Sequence, residues 1–134
     1  MSQSLNNQEF AITTVSDLRQ HLESVRNQQF SEVWLTANDD GPALAMLVNG
    51  AQAWLMYLRH QDGDPGFSSR HAEYNGPAEA PLEFLLSNGQ MDEYPVVWTL
   101  PLEEAFGACE YFLLNHGGRS PAIVWYDDSS SQGE

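Results

Sequence analysis

Two adjacent carboxylates, Asp92 and Glu93, are the residues of this chain whose spacing most invites a chemical role. They stand before Tyr94 in the stretch SNGQMDEYPVVW, which begins at Ser87, and no basic residue is near them in sequence. Paired carboxylates can perform acid–base chemistry when both reach one substrate. Neighbouring residues of a strand point to opposite faces, however, which argues against such convergence. The role that remains for the pair is to attract a positively charged partner.

Two other patterns could hold a metal ion, and both are incomplete. The run Asp62-Gly-Asp64-Pro-Gly-Phe67 resembles the start of a calcium-binding loop. It lacks the further ligands and the closing Glu of an EF-hand, so it favours a solvated hairpin loop. The four histidines are far apart in sequence, although folding could still bring some of them together; they are His21, His60, His71 and His116.

Cys109 is the single cysteine and the only candidate for a nucleophilic thiol. It shares the apolar stripe of a predicted helix with Leu102, Phe106 and Leu113. Reactive thiols need exposure and a positive neighbourhood, so this position favours a core side chain. The chain also contains no phosphate-binding glycine motif and no hydrolase or zinc motif. The sequence therefore predicts no catalytic, cofactor-binding or metal-binding residue, and a protein that is not an enzyme.

Charge is the strongest feature of the composition. The chain has 19 acidic residues against five basic ones, all of them arginine, and a formal net charge of −14. Between His71 and Gly118 there are eight acids and no Lys or Arg. Such a surface repels nucleic acid and anionic membranes, and it attracts basic proteins. Solubility alone is the alternative explanation of the charge.

The predicted elements begin with an antiparallel meander. Turn signals and apolar runs predict strands at Glu32–Ala37, in the segment PALAMLV from Pro42, and at Ala51–Arg59. Asn49-Gly50 predicts a tight hairpin turn between the second and third of these strands. Because both strands are apolar at nearly every position, both faces of the sheet should be covered. Further strands are predicted at Glu9–Thr13, around Ser69–Tyr74, in PLEFLLSN, around Val96–Trp98 and at Pro121–Tyr126.

Two helices complete the predicted fold. Thr14 is expected to cap a helix from Val15 to about Asn27, and Pro101 is expected to begin a second helix that ends at Gly117-Gly118. The predicted fold class is α+β: a mainly antiparallel sheet built on a β-meander, with two main helices packed on it. The four tryptophans lie in predicted strands and are expected in the core; they are Trp34, Trp54, Trp98 and Trp125.

The length of 134 residues predicts one domain, with residues 1–7 and 129–134 disordered. Met1 is followed by a polar segment, which predicts no secretory signal. No apolar run approaches the roughly 20 residues of a membrane helix. Together with the single cysteine, these features predict a cytoplasmic protein.

Several short motifs occur in a characteristic order within Leu82–Asp128. They are Phe84-Leu-Leu-Ser-Asn-Gly, Val96-Val-Trp-Thr-Leu-Pro, Glu103-Glu-Ala, Tyr111-Phe and Pro121-Ala-Ile-Val-Trp. In this order and spacing they resemble an immunity-protein family of bacterial polymorphic toxin systems, the family whose genes often neighbour deaminase-fold toxins. The segment WLMY followed by GDPGF extends the resemblance. It implies a protein without catalytic residues that binds and blocks a cognate toxin, a zinc deaminase acting on nucleic-acid bases.

The acidic composition agrees with this resemblance, because proteins that act on nucleic acids are basic around the substrate groove. We therefore predict a cognate basic toxin domain as partner, and neither nucleic acid nor membrane. Two alternatives stay open, namely an acidic adaptor for another basic protein and a small enzyme with a site assembled from scattered residues. The predicted partner-binding residues are Asp62, Asp64, Phe67, Asp92, Glu93, Tyr94, Glu103 and Glu110.

Overall fold

The computed structural model of the chain describes residues 2–5, 8–37, 41–61, 63–71 and 80–128. Two α-helices are present in them, α1 (Val15–Glu23) and α2 (Leu102–Leu114), and a 3-10 turn follows α1 at Ser24–Asn27. The strands in chain order are β1 (Ser2–Leu5), β2 (Gln8–Ala11), β3 (Phe30–Thr36), β4 (Ala43–Asn49), β5 (Gln52–Leu58), β6 (Phe67–Arg70), β7 (Pro81–Leu85), β8 (Met91–Pro95), β9 (Leu100–Pro101) and β10 (Val124–Asp127).

The main sheet is antiparallel and is built on the predicted meander. Its strand order is β10-β6-β5-β4-β3-β1-β2, and β9 pairs with β5 beside this path. The turn between β4 and β5 is the expected two-residue hairpin, with Asn49 paired to Gln52 and Gly50 at a φ of 58°. Glycine adopts this left-handed conformation without the steric cost that a side chain brings. The α+β fold class and the meander are therefore confirmed.

Both faces of the meander are covered, as the apolar sequences of β4 and β5 predict. Successive strand residues point to opposite faces. Met46 and Val48 accordingly belong to a large core beneath the helices, whereas Leu47 between them belongs to a second, smaller core. The separate β7–β8 hairpin covers that second face. The result is three layers: two helices, the main sheet, and a two-stranded hairpin.

The first helix begins where the sequence predicts. The Thr14 hydroxyl accepts a hydrogen bond of 3.0 Å from the backbone N–H of Asp17, which satisfies one of the free donors of the first turn. The α-helical part ends at Glu23, earlier than expected, and the 3-10 turn carries the chain to Asn27. Leu18, Leu22 and Val25 face the large core.

The second helix also follows its sequence signals. Pro101 precedes its first residue, and Glu103 and Glu104 lie in its first turn, near the positive end of the helix dipole. After Leu114 the chain reverses at Gly117, which has a φ of 92° and donates a backbone hydrogen bond of 2.8 Å to the Phe112 carbonyl. None of the helices in the described ranges is both long and apolar enough to cross a membrane.

Besides the earlier end of α1, four local predictions differ from the structure. Val96–Trp98 is a 3-10 turn and not a strand, because the backbone N–H and the hydroxyl of Thr99 both donate to the Val96 carbonyl and close the turn. Ser2–Leu5 is a strand and not disordered, since backbone hydrogen bonds to β2 and β3 do not require apolar side chains. Residues 1, 6, 7 and 129–134, also predicted to be disordered, lie outside the described ranges.

The other two changes concern strand ends. The strand expected around Ser69–Tyr74 is β6, which is shifted towards the N-terminus, and residues 72–79 lie outside the described ranges. The last strand starts at Val124, because Pro121 and Ala122 form a turn.

Candidate partner-binding site

The β7–β8 hairpin sets the directions of Asp92 and Glu93. Its register pairs Phe84 with Asp92 and Glu83 with Glu93, so the two adjacent carboxylates lie on opposite faces. Glu93 is exposed on the side away from the sheet, and Asp92 is half-buried on the side towards it. The expectation that these acids do not converge is confirmed, and only Glu93 belongs to the outer surface.

The outer surface of the hairpin combines charge with exposed apolar groups. Leu85 and Met91 are cross-strand neighbours with 38% and 48% of their area exposed, and Glu83 and Glu93 form the next pair. Like charges directly opposite each other destabilise a sheet, by up to about 1 kcal/mol. We call these four residues the outer face.

The inner side of the hairpin anchors it to the main sheet. Phe84 is fully buried in the second core, together with Leu47 and Trp54. Tyr94 stacks on Trp54 with 4.3 Å between the ring centroids, and burial raises the pKa of Tyr94 to about 12. Tyr94 therefore acts mainly as an anchor of the hairpin, whereas the sequence predicts it as a contact residue.

A pocket with a volume of about 160 Å³ lies between the sheet and the hairpin. Its floor consists of two cross-strand rows on β3, β4 and β5, which are Glu32, Leu47 and Trp54, and then Trp34, Ala45 and Met56. Ala45 is the smallest of these six residues and leaves a depression between its larger neighbours. The hairpin side of the wall is made by Leu86, Asp92 and Tyr94. We call this cavity the aromatic pocket.

Two carboxylates bring negative charge to the aromatic pocket. Asp92 accepts hydrogen bonds from the Gln90 amide at 2.6 Å and the Tyr94 hydroxyl at 3.2 Å. Glu32 accepts from the Trp34 indole at 2.8 Å and from the Ser87 hydroxyl at 2.7 Å. Burial alone would raise the pKa of Glu32, but the hydrogen bonds from Ser87 and Trp34 outweigh it and lower the pKa. Glu32 is consequently ionised at neutral pH.

The arginines of the chain are engaged away from the hairpin acids. All five lie in the described ranges, and none forms an ion pair with Glu83, Asp92 or Glu93. Arg70 lies between the rings of Trp98 and Tyr126, at 4.0 Å and 4.6 Å, and Arg119 lies 3.8 Å from the ring of Phe67. None of the five arginines therefore compensates the negative charge of the outer face.

Glu103 and Glu110, two of the predicted partner-binding residues, form ion pairs within the chain. Arg19 on α1 forms ion pairs with both of them, at 3.5 Å to Glu103, and Arg26 also pairs with Glu103. The sequence could not show these pairs, because the helices that carry them meet only in the folded chain. Pairing leaves this surface less negative than a count of its acids suggests.

The loop before β6 also differs from its prediction as a solvated loop. The Asp64 side chain is only 1% exposed and pairs with Arg59 at 2.6 Å. It also accepts from the backbone N–H groups of Arg59, at 2.7 Å, and Gly66, at 3.3 Å. Phe67 is half-buried beneath Arg119, and Asp62 lies outside the described residues. Neither Asp64 nor Phe67 is placed as a free contact for a partner.

The ionised Asp64 side chain should stabilise the fold at neutral pH and lose this effect in acid. The hydrogen bond from the Arg59 side chain holds the pKa of Asp64 well below its usual range, although burial opposes this. A lowered pKa contributes stability above the unfolded-state pKa, about 3.9, and that stability is lost as the pH falls further. Asp64→Asn is expected to cost about 1.5–3 kcal/mol at neutral pH, and the difference should shrink below about pH 4.

Urea unfolding of both proteins from neutral pH to about pH 3 measures this difference. The control is Glu104→Gln, which removes an exposed acid that forms no ion pair among the described residues. A cost of Asp64→Asn that stays constant over this range would contradict the assignment.

The remaining residues considered for a chemical role are the cysteine, the tryptophans and the possible metal ligands. Cys109 is buried in the large core, and burial raises the pKa of its thiol to about 12, so its core prediction is confirmed. Of the four tryptophans, Trp54 alone is buried, and Trp34, Trp98 and Trp125 are half-buried. Within the described ranges, no three His, Cys, Asp or Glu side chains form a group that could hold a metal ion.

Sequence reasoning missed the contribution of the sheet to this site. Glu32, Trp34 and Ala45 lie on neighbouring strands and meet Asp92 only because the hairpin folds over them. The available signal was alternation, since Glu32 and Trp34 are two residues apart and share a face of β3. The exposed pair Leu85 and Met91 was missed as well, because its exposure depends on which side of the hairpin is covered.

Comparison of the chain with protein-family models gives no match, and comparison with curated proteins gives none either.

Proposed function

We propose that this protein is an immunity protein, which binds a basic toxin domain and blocks it without catalysing a reaction itself. The resemblance of Leu82–Asp128 to an immunity-protein family suggests the class, and the net charge of −14 supports a basic partner. The family resemblance favours a nucleic-acid deaminase as the toxin. In this role the protein acts in the cytoplasm, where it protects its own cell.

The observation that carries the proposal is the outer face of the hairpin. Glu83 and Glu93 oppose each other beside the exposed Leu85 and Met91, and none of the five arginines pairs with them. A basic side chain placed between the two carboxylates would replace their repulsion by attraction. Exposed apolar groups next to the charges would add contact area of the kind that interface centres use.

The site fits a binding role better than a catalytic one. The two acids of the outer face lie beside apolar side chains, and the adjacent pair Asp92 and Glu93 does not converge on one point. A carboxylate pair that shares acid–base work must reach one substrate, and the opposite directions of Asp92 and Glu93 prevent this for that pair. A surface of fixed negative charge needs no such convergence, and it speeds the approach of a basic partner.

The test uses one charge reversal on the hairpin and one on the opposite layer. Glu93→Lys and Glu104→Lys change the net charge equally, and both residues are exposed and form no ion pair among the described residues. Glu93→Lys should weaken binding at least tenfold, about 1.4 kcal/mol, and Glu104→Lys less than threefold. Position 93 lies directly opposite Glu83, so Glu93→Lys replaces a pair of like charges by a pair of opposite charges. The hairpin should therefore stay folded in this variant.

The partner for this titration is the purified C-terminal toxin domain encoded next to the gene of this protein, measured at low and moderate salt. The wild-type affinity should fall as salt rises, because exposed charges are screened. Equal losses in the two variants would show that only net charge matters and would remove the outer face from the interface. Binding of other basic proteins with the same affinity would favour the acidic adaptor instead.

A further inference from the structure

Trp54, one of the residues that line the aromatic pocket, has a buried indole N–H without a hydrogen-bond partner in the described ranges. Among the described residues, two buried side-chain polar atoms lack one, and the indole N–H of Trp54 is one of them. Trp54 is only 7% exposed and lines the pocket. A buried donor left without an acceptor is costly, and native proteins seldom tolerate it without a reason. The nitrogen itself is closed to solvent, so the charges and rings of the pocket, and not this donor, determine which ligand fits.

The rest of the pocket fits a positive charge. Glu32 and Asp92 both line it, and no basic side chain does so within the described part of the chain. The surrounding rings are those of Trp34, Trp54 and Tyr94. Aromatic faces attract cations, tryptophan most strongly, and carboxylates beside them add charge-assisted hydrogen bonds.

The shape of the pocket favours a flat group on an apolar stem. Its volume of about 160 Å³ is close to that of a cavity of about 150 Å³ that accommodates benzene. Leu47, Met56 and Leu86 supply apolar lining for a methylene chain. A guanidinium is planar, stacks on aromatic rings and is less strongly hydrated than an ammonium, so it loses less on entering such a site.

We infer that the aromatic pocket receives an arginine side chain of a partner protein. The guanidinium donates to Asp92 and Glu32 and lies against the aromatic rings. The identity of that partner rests on the proposed immunity function, but the pocket can be tested without the toxin. Arginine would enter beside the outer face, since both sites share the β7–β8 hairpin.

The probe is N-acetyl-arginine-amide, which carries both the guanidinium and peptide carbonyl groups. Its control is N-acetyl-citrulline-amide, which has nearly the same shape and no charge. Each is titrated into ¹⁵N-labelled protein while the indole N–H signals are followed by NMR. We expect arginine to give a saturable shift of the Trp54 and Trp34 signals in the millimolar range, and citrulline to bind at least tenfold more weakly. The Trp125 signal is the internal reference, because its N–H already donates to the Ser120 carbonyl at 2.8 Å.

Two variants locate the binding site. Asp92→Asn keeps the shape of the side chain and removes its charge, so it should weaken arginine binding at least fivefold. Glu104→Gln removes an exposed charge on the opposite side of the sheet and should leave arginine binding within twofold of wild type. The absence of a saturable arginine shift, equal binding of citrulline, or equal effects of the two variants would each overturn the inference.

The two proposals fail in distinguishable ways. Arginine binding in the pocket without any binding of the toxin domain would reject the immunity function and keep the site. Toxin binding that depends on Glu93, with no arginine response in the pocket, would keep the function and reject the site.

Discussion

Replacing Phe84 by Ala is expected to release the β7–β8 hairpin from the main sheet and to abolish partner binding. Phe84 is fully buried between the hairpin and the sheet, in a second core whose other buried residues are Leu47 and Trp54. Loss of a buried phenylalanine side chain costs about 3–5 kcal/mol. An isolated two-stranded hairpin is marginal in water, so the remaining contacts should not hold it in place.

The expected signature is local unfolding. Backbone amides of β7 and β8 should lose hydrogen-exchange protection, whereas those of β3, β4 and β5 keep theirs, since the large core on the other face is untouched. Binding of the toxin domain should weaken at least a hundredfold, about 2.8 kcal/mol, because both the outer face and the aromatic pocket depend on the hairpin.

The matched control for this prediction is Phe84→Leu. Leucine fills much of the same space, and hydrophobic substitutions of similar volume usually cost less than about 1.5 kcal/mol. The hairpin should stay protected in this variant, and binding should change little. Protected hairpin amides in Phe84→Ala would mean that hydrogen bonds such as that from Asn49 to the Glu83 carbonyl, at 2.8 Å, suffice to hold it.

Replacing Phe106 by Ala is expected to produce the second large effect, this time on the whole fold. Phe106 is fully buried on α2, and the guanidinium carbons of Arg26 and Arg19 lie 5.0 Å and 5.4 Å from its ring centroid. The lost core packing costs about 3–5 kcal/mol, and each exposed cation–π contact adds about 0.5–1 kcal/mol. Denaturant unfolding followed by circular dichroism measures the total.

Phe106→Leu distinguishes the contribution of the aromatic ring from that of the apolar volume that it fills. It should cost less than Phe106→Ala, and its remaining cost should fall when Arg26 is replaced by Gln, because the cation–π contact is then already absent. At temperatures where both proteins are folded, Phe106→Leu should leave partner binding unchanged, since α2 lies on the opposite side of the sheet from the hairpin. A loss of binding in folded Phe106→Leu would place part of the interface on the helices.

The charged side chains of α1 and α2 form ion pairs that link the two helices. Exposed pairs such as Arg26–Glu103 contribute at most about 1 kcal/mol each, so they do not explain the stability of the helical layer. They do change how the net negative charge is distributed over the surface of the protein. Arg19 and Arg26 offset Glu103 and Glu110, and the hairpin acids have no such partners among the arginines.

The sequence by itself determined the parts of this protein that depend on interactions within a few residues. Asn49-Gly50 predicts its hairpin because glycine tolerates a positive φ, and Thr14 predicts its helix start because its hydroxyl reaches a backbone N–H three residues later. The apolar stripe that contains Cys109 predicts its burial in the same way. These features follow from local geometry and from the periods of helices and strands.

Only the tertiary structure decided which acids are available to a partner. Arg19 and Glu110 are 91 residues apart in sequence, and no local pattern predicts that they pair. Asp64 reads as a loop charge, and the folded chain buries it against Arg59. Asp92 and Glu93 read as one acidic pair, but the sheet covers one side of the hairpin and so places Asp92 in a pocket and Glu93 on the surface. Long-range packing determines burial and ion pairing, because both depend on which surfaces meet when distant segments come together.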